Sequence, residues 1–146
     1  AGDPEAVTFP RPYLDKNAFD FSFSGIKTAV KRHIETHNDY TERLADIAAG
    51  FEAAVVDVLV EKLVAAAKKC RCTGMAIAGG VAANARLRKQ LAEAAGKAGV
   101  DLYAPPLSLC GDNGAMIAAA GYHHLADPEG ARGGPADDVY SRTRFM

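Results

Sequence analysis

The order of apolar segments predicts an α/β domain in which short parallel strands are joined by crossover helices. Three observations carry this. A short apolar run, Met75–Ala78, breaks at Gly79–Gly80 and continues with helical spacing through Leu87, Leu91, Ala94 and Ala95. A second short run, Val100–Ala104, stops at Pro105–Pro106 and is followed by an apolar helix over Ala115–Leu125. Strand–helix–strand–helix order favours parallel pairing, and such sheets bind ligands at the carboxyl ends of their strands. Both glycine-rich turns, Gly79–Asn84 and Gly111–Gly114, are expected at such ends.

The chain has 146 residues, 49% of them hydrophobic, which suits one globular domain over 1–146 with a real core. Its net charge of −1 excludes a strongly basic surface, so unaided tight binding of nucleic acid is not expected. No apolar run is long enough to span a bilayer, so no membrane partner is expected. Cys70 and Cys72 lie beside Lys69 and Arg71 rather than in a disulfide framework, which suits a reducing, cytoplasmic location. The sequence opens on Ala1 rather than methionine, which suggests a fragment or a processed product.

Pro4, Pro10 and Pro12 make 1–17 an extended leading segment. The alternation Phe19-Asp20-Phe21-Ser22-Phe23-Ser24 reads as a strand with its three aromatics on a core face. Ser24 is the expected N-cap of a helix from Gly25, with Ile26, Ala29, Val30 and Ile34 as its buried stripe. His33 and His37 have a spacing able to hold a metal, but no third ligand is near, and a solvated helix end is the better reading. Thr41 is the expected cap of a long apolar helix running to Lys69. At roughly 29 residues and ~43 Å, that helix invites a kink or a split near Gly50. Lys68, Lys69 and Arg71 complement its negative end. Gly96 and Gly99 end the helix after the glycine pair, and 126–146, rich in glycine and proline, is expected to be largely loop in which Val139, Tyr140 and Phe145 alone could dock.

The turn at Gly79–Gly80 allows a ligand to approach the main chain, the helix beyond offers its positive end, and Asn84 adds an amide that donates and accepts. The bland alternative is a tight turn that binds nothing. Asp112 sits in a glycine-flanked loop ahead of a helix, where a carboxylate ligates a cation or orients a ligand; alternatively Asp112 or Asn113 simply caps that helix. Cys110 has no histidine placed to activate it, and His123 and His124 suit the end of the last helix.

FPRP with FDFSFSGIKTAV, then AGGVAANARLR, then LCGDNGAMIAAAGY together resemble the TsaD-like tRNA threonylcarbamoyladenosine transferase family, once called O-sialoglycoprotein endopeptidases, in its bacterial branch. The resemblance runs from about Phe9 to Tyr122. It implies the C-terminal lobe of an actin/Hsp70/sugar-kinase-like (ASKHA, ribonuclease H-like) fold with a helical insertion. It also implies an enzyme that moves a threonylcarbamoyl group from threonylcarbamoyl-AMP to N6 of the adenosine beside the tRNA anticodon. By the same resemblance Asn84, Gly79 and Gly80 bind substrate, and Asp112 ligates one divalent metal, iron or zinc, acting as a Lewis acid.

The family's HxxxH ligands belong to an N-terminal lobe outside this chain, and His33 and His37, after FSFSG, are not that pair. The segment by itself is therefore expected to bind metal weakly and to be inactive, with tRNA and TsaB- and TsaE-like subunits as implied partners. Two alternatives stay open: an ATPase or phosphotransferase lobe of the same superfamily, and a non-catalytic module that binds partner subunits. The enzymatic readings require the turn bearing Asn84 and the turn bearing Asp112 to share one crevice.

Overall fold

The computed structural model describes residues 2–12 and 19–126, with side chains through His123. It divides into two compact units, Ala1–Cys110 and Gly111–Met146. The first is built on α2 (Leu44–Lys69), an unbroken helix of 26 residues and about 39 Å. α1 (Ser24–Thr36) precedes it; β1 (Gly74–Ala76), α3 (Ala85–Ala98) and β2 (Asp101–Tyr103) follow. β1 and β2 pair in parallel, Met75 opposite Leu102, with α3 as the crossover. Strand, helix and strand therefore stand as the apolar spacing predicts.

α2 buries residues around most of its circumference because it is covered on two sides. One side packs Ile47 and Ala54 against Val7 and Phe9 of the leading segment, with Ala29 and Val30 of α1 alongside. The other packs Val56 against Leu87 and Leu91 of α3. Farther along, Ala67 meets Met75 and Ala95. Helix α2 is continuous through Gly50, so it is not split there. The absent side chain serves a different purpose: a Cβ at Gly50 would sit 2.0 Å from the Val7 carbonyl oxygen. The leading segment therefore lies directly on the helix backbone.

Four local expectations are corrected. Residues 19–23 are irregular, not a strand, and Phe21 is 47% exposed. A strand needs a ladder partner, and among the described residues only β1 and β2 pair. The segment is held instead by α2 lysines: Lys62 Nζ donates to the Asp20 carbonyl and lies 5.6 Å from the Phe21 ring, and Lys69 Nζ lies 5.0 Å from the Phe19 ring. The Phe21 and Phe23 rings stack at 5.9 Å.

Ser24 is the first residue of α1 rather than its cap; its hydroxyl pairs with that of Ser22 at 3.1 Å. α2 starts at Leu44 with Arg43 in the cap position, because Thr41 lies within consecutive turns closed by Glu42 N–H to Asp39 O and Arg43 N–H to Tyr40 O. Gly96 is interior to α3. Gly99, at φ 69°, ends the helix, and the Val100 N–H bonds back to Ala95 O.

The second unit contains α4 (Gly114–Ala126). Ala126 is thus helical, and the rest of the segment expected to be loop, 127–146, lies outside the described residues, as do Val139, Tyr140 and Phe145. Among the described residues no helix is long and apolar enough to cross a membrane.

Candidate nucleotide-binding turn

β1 ends at Ala76, and the Ile77 N–H still bonds to Tyr103 O of β2 at 3.0 Å. The chain then leaves the sheet through Gly79, whose φ of 81° and ψ of 176° lie in a region open essentially to glycine alone. A 3₁₀ turn over Gly80–Ala83 follows, closed by the Ala82 N–H to Gly79 O at 2.9 Å. The Gly80 and Val81 N–H groups precede that first bond and have no partner within the turn. Among the described residues, chain neighbours aside, no heavy atom comes within 4 Å of where a Cβ would stand on Gly79 or Gly80. Backbone donors are therefore reachable at the carboxyl end of a strand.

Asn84 ends the 3₁₀ turn and is the N-cap of α3. Its Oδ1 accepts from the Leu87 N–H at 2.8 Å, and its Nδ2 donates to Glu52 Oε1 on α2 at 2.7 Å. The expectation of a helix starting at the glycine pair is thus refined: one tight turn intervenes, and the helix begins at Ala85. A cleft of about 260 Å³ runs beside the turn, lined by Ile77, Val81, Ala82, Leu87 and Leu59 among others. A larger groove of about 470 Å³ between α1 and α2, lined by Val30, Ile34 and Phe51, is remote in sequence from the turn and includes none of its residues.

Arg88 is a residue that sequence reasoning missed. Its guanidinium donates to Ala82 O at 2.6 Å, to Pro105 O, and to the buried Cys110 Sγ at 3.2 Å. One side chain thus ties the turn after β1 to the segment after β2. Cys110 Sγ is accordingly a packed acceptor of this clamp. Glu52 was missed as well. The available signal was a glutamate on the helix predicted to pack on the turn, but helical periodicity does not say which polar residue meets which loop.

In the second unit, Asn113 takes the cap role. Its Oδ1 accepts from the Met116 N–H at 2.9 Å and its Nδ2 donates to Gly111 O at 3.0 Å. Asp112 is exposed, with no hydrogen bond or ion pair among the described residues. The capping alternative therefore falls to its neighbour, and no described residue bonds to the Asp112 carboxylate. Among the described residues no three His, Cys, Asp or Glu side chains gather as a metal would require, so these residues alone do not fit a metal centre. His33 and His37 stack face to face at 4.1 Å, with His37 Nδ1 2.9 Å from His33 O. They form a helix end, as the spacing argument expected. The structure thus brings Gly79, Gly80 and Asn84 into one turn, while Asp112 belongs to the other unit.

Residues 1–119 match the family model described as tRNA N6-adenosine threonylcarbamoyltransferase, TsaD. The chain belongs to this family. It is similar to the tRNA N6-adenosine threonylcarbamoyltransferase of Desulforapulum autotrophicum, 48% identical over 146 residues, covering 99% of this chain and 43% of that protein. The protein of the same name from Magnetococcus marinus is 51% identical over 135 residues, covering 91% of this chain and 38% of the relative. The one from Burkholderia thailandensis is 52% identical over 133 residues, covering 86% and 38%. The chain thus spans about two fifths of the length of these TsaD relatives, and Gly79, Gly80, Asn84 and Asp112 all fall within the matched residues.

Proposed function

We propose that this chain is the C-terminal lobe, of actin/Hsp70/sugar-kinase-like (ASKHA) architecture with a helical insertion, of an enzyme that transfers threonylcarbamoyl from threonylcarbamoyl-AMP to N6 of the adenosine next to the tRNA anticodon. The observation that carries the reading is the turn leaving β1: Gly79 in a glycine-only conformation, backbone donors at Gly80 and Val81, and Asn84 at the head of α3. The family match supports the transferase reading over a phosphotransferase or a purely structural module.

In this mechanism the adenosine N6 attacks the carbamoyl carbon, the bond from that carbon to the phosphate oxygen breaks, AMP leaves, and N6 loses a proton. Negative charge collects on the departing phosphate. The N–H groups of the turn and the positive end of α3 are suited to hold it, and fixed donors need no reorganisation as charge develops. Asn84 orients the nucleotide, and the apolar cleft beside Val81 keeps water from the mixed anhydride.

Asp112 is the residue of this chain proposed to ligate a divalent iron or zinc. The family's HxxxH histidines, from an N-terminal lobe, would complete the set. tRNA and TsaB- and TsaE-like subunits are the proposed partners. The intact enzyme of this reading is cytoplasmic.

The test uses the full-length protein, assayed for threonylcarbamoyl transfer to tRNA and for bound metal by elemental analysis. Asp112→Ala is expected to lose both. Full metal occupancy and activity in that variant overturn the assignment, and ATP hydrolysis independent of tRNA points to the phosphotransferase instead.

A further inference from the structure

We infer that Glu52 is a positioning residue for Asn84: its carboxylate fixes the Asn84 amide so that a nucleotide meets one defined N–H donor. The inference rests on the nucleotide-binding reading of Asn84 and extends it to a residue on a different helix. A side-chain amide has two nearly isosteric orientations that exchange its donor and acceptor ends. Here two bonds select one of them. Oδ1 accepts from the Leu87 N–H at 2.8 Å, and Nδ2 donates to Glu52 Oε1 at 2.7 Å.

Turning the amide over would set NH₂ against an N–H and oxygen against a carboxylate. Both contacts would become repulsive. Glu52 is itself half-buried on α2, directly before the buried Ala53 and Ala54, so the backbone that carries its carboxylate is anchored in the core. With Oδ1 occupied by the helix and one Nδ2 hydrogen given to Glu52, the second Nδ2 hydrogen is what Asn84 offers. The ligand atom that meets it is an acceptor: a hydroxyl, a ring nitrogen or a phosphate oxygen.

The experiment measures AMP binding to the full-length protein by calorimetry, together with the side-chain amide resonances of Asn84 in ¹⁵N-asparagine-labelled protein without nucleotide. Glu52→Ala is expected to weaken AMP binding about tenfold, the scale of one hydrogen bond to a charged group. Glu52→Gln, which keeps an acceptor, should stay within about threefold of wild type. In an Asn84→Asp background, where the cap survives and the donor is gone, Glu52→Ala should cause no further loss. The Asn84 amide pair should shift in Glu52→Ala.

An unchanged affinity in Glu52→Ala, an equal loss in the Asn84→Asp background, or unmoved amide resonances each overturn the inference. Should Asn84→Asp bind AMP as wild type does, the nucleotide reading itself fails. The resonances then still decide whether Glu52 orients the amide.

Discussion

Replacing Gly50 by alanine tests the way the leading segment lies on α2. In an isolated helix, glycine to alanine stabilises by about 1 kcal/mol. Here the new Cβ would stand 2.0 Å from Val7 O and 3.1 Å from Val7 C, both backbone atoms that cannot rotate aside. The segment must lift, and lifting it exposes Val7 and Phe9, now 5% and 3% accessible. Uncovering two such side chains costs roughly 3–6 kcal/mol if complete, at about 1.5–3 each. Partial relaxation reduces this, so a net loss of about 1–4 kcal/mol is expected after the propensity gain is subtracted. Urea denaturation followed by circular dichroism measures it. Gly96→Ala is the control, since it lies inside α3 and, among the described residues and apart from its own helix backbone and chain neighbours, no heavy atom lies within 4 Å of the new Cβ; it should stabilise by about 0.5–1 kcal/mol. If Gly50→Ala stabilises the protein as much as Gly96→Ala does, the close approach of Val7 is wrong.

Three further outcomes are expected. Gly79→Ala should cost about 1–3 kcal/mol through backbone strain alone and weaken AMP binding, read by denaturation and calorimetry; an unstrained variant would refute the glycine-only conformation. Arg88→Ala removes the donor to Ala82 O, Pro105 O and Cys110 Sγ, so stability should fall by about 2–4 kcal/mol. In that variant Cys110 should also react faster with a thiol reagent, and an unchanged rate would mean that the clamp does not shield it. Asn113→Ala should lose about 1 kcal/mol of α4 stability while Asp112→Ala loses almost none, a contrast seen in amide exchange near Met116. Equal effects would return the cap to Asp112.

Legibility in the sequence followed the range of the interaction. The parallel β1–α3–β2 unit and the end of α2 at Lys69 were readable because burial repeats along the chain with the period of the element, whereas of the stripe expected on α1 only Ile26 is buried and Ala29, Val30 and Ile34 are half-buried. The turn at Gly79–Gly80 was readable because few residues other than glycine tolerate such a conformation. The phenylalanine alternation misled, because period two states only that a strand would have one apolar face. Whether a partner edge exists is a fact about other segments, and lysines of α2 hold this one as coil instead.

The choice between Asp112 and Asn113 as cap was equally closed to sequence, since either residue suits the position and one residue of register decides it.

What the sequence determined by itself is the set of local geometries: where helices run, where the backbone must be glycine, and which motifs mark the family. Only tertiary structure decided how those pieces use one another. Glu52 finds Asn84 across 32 residues, Arg88 gathers carbonyls from two turns, and Gly50 makes room for Val7. The physical reason is that a side chain's partner is chosen by packing of distant segments, and no local spacing encodes that distance.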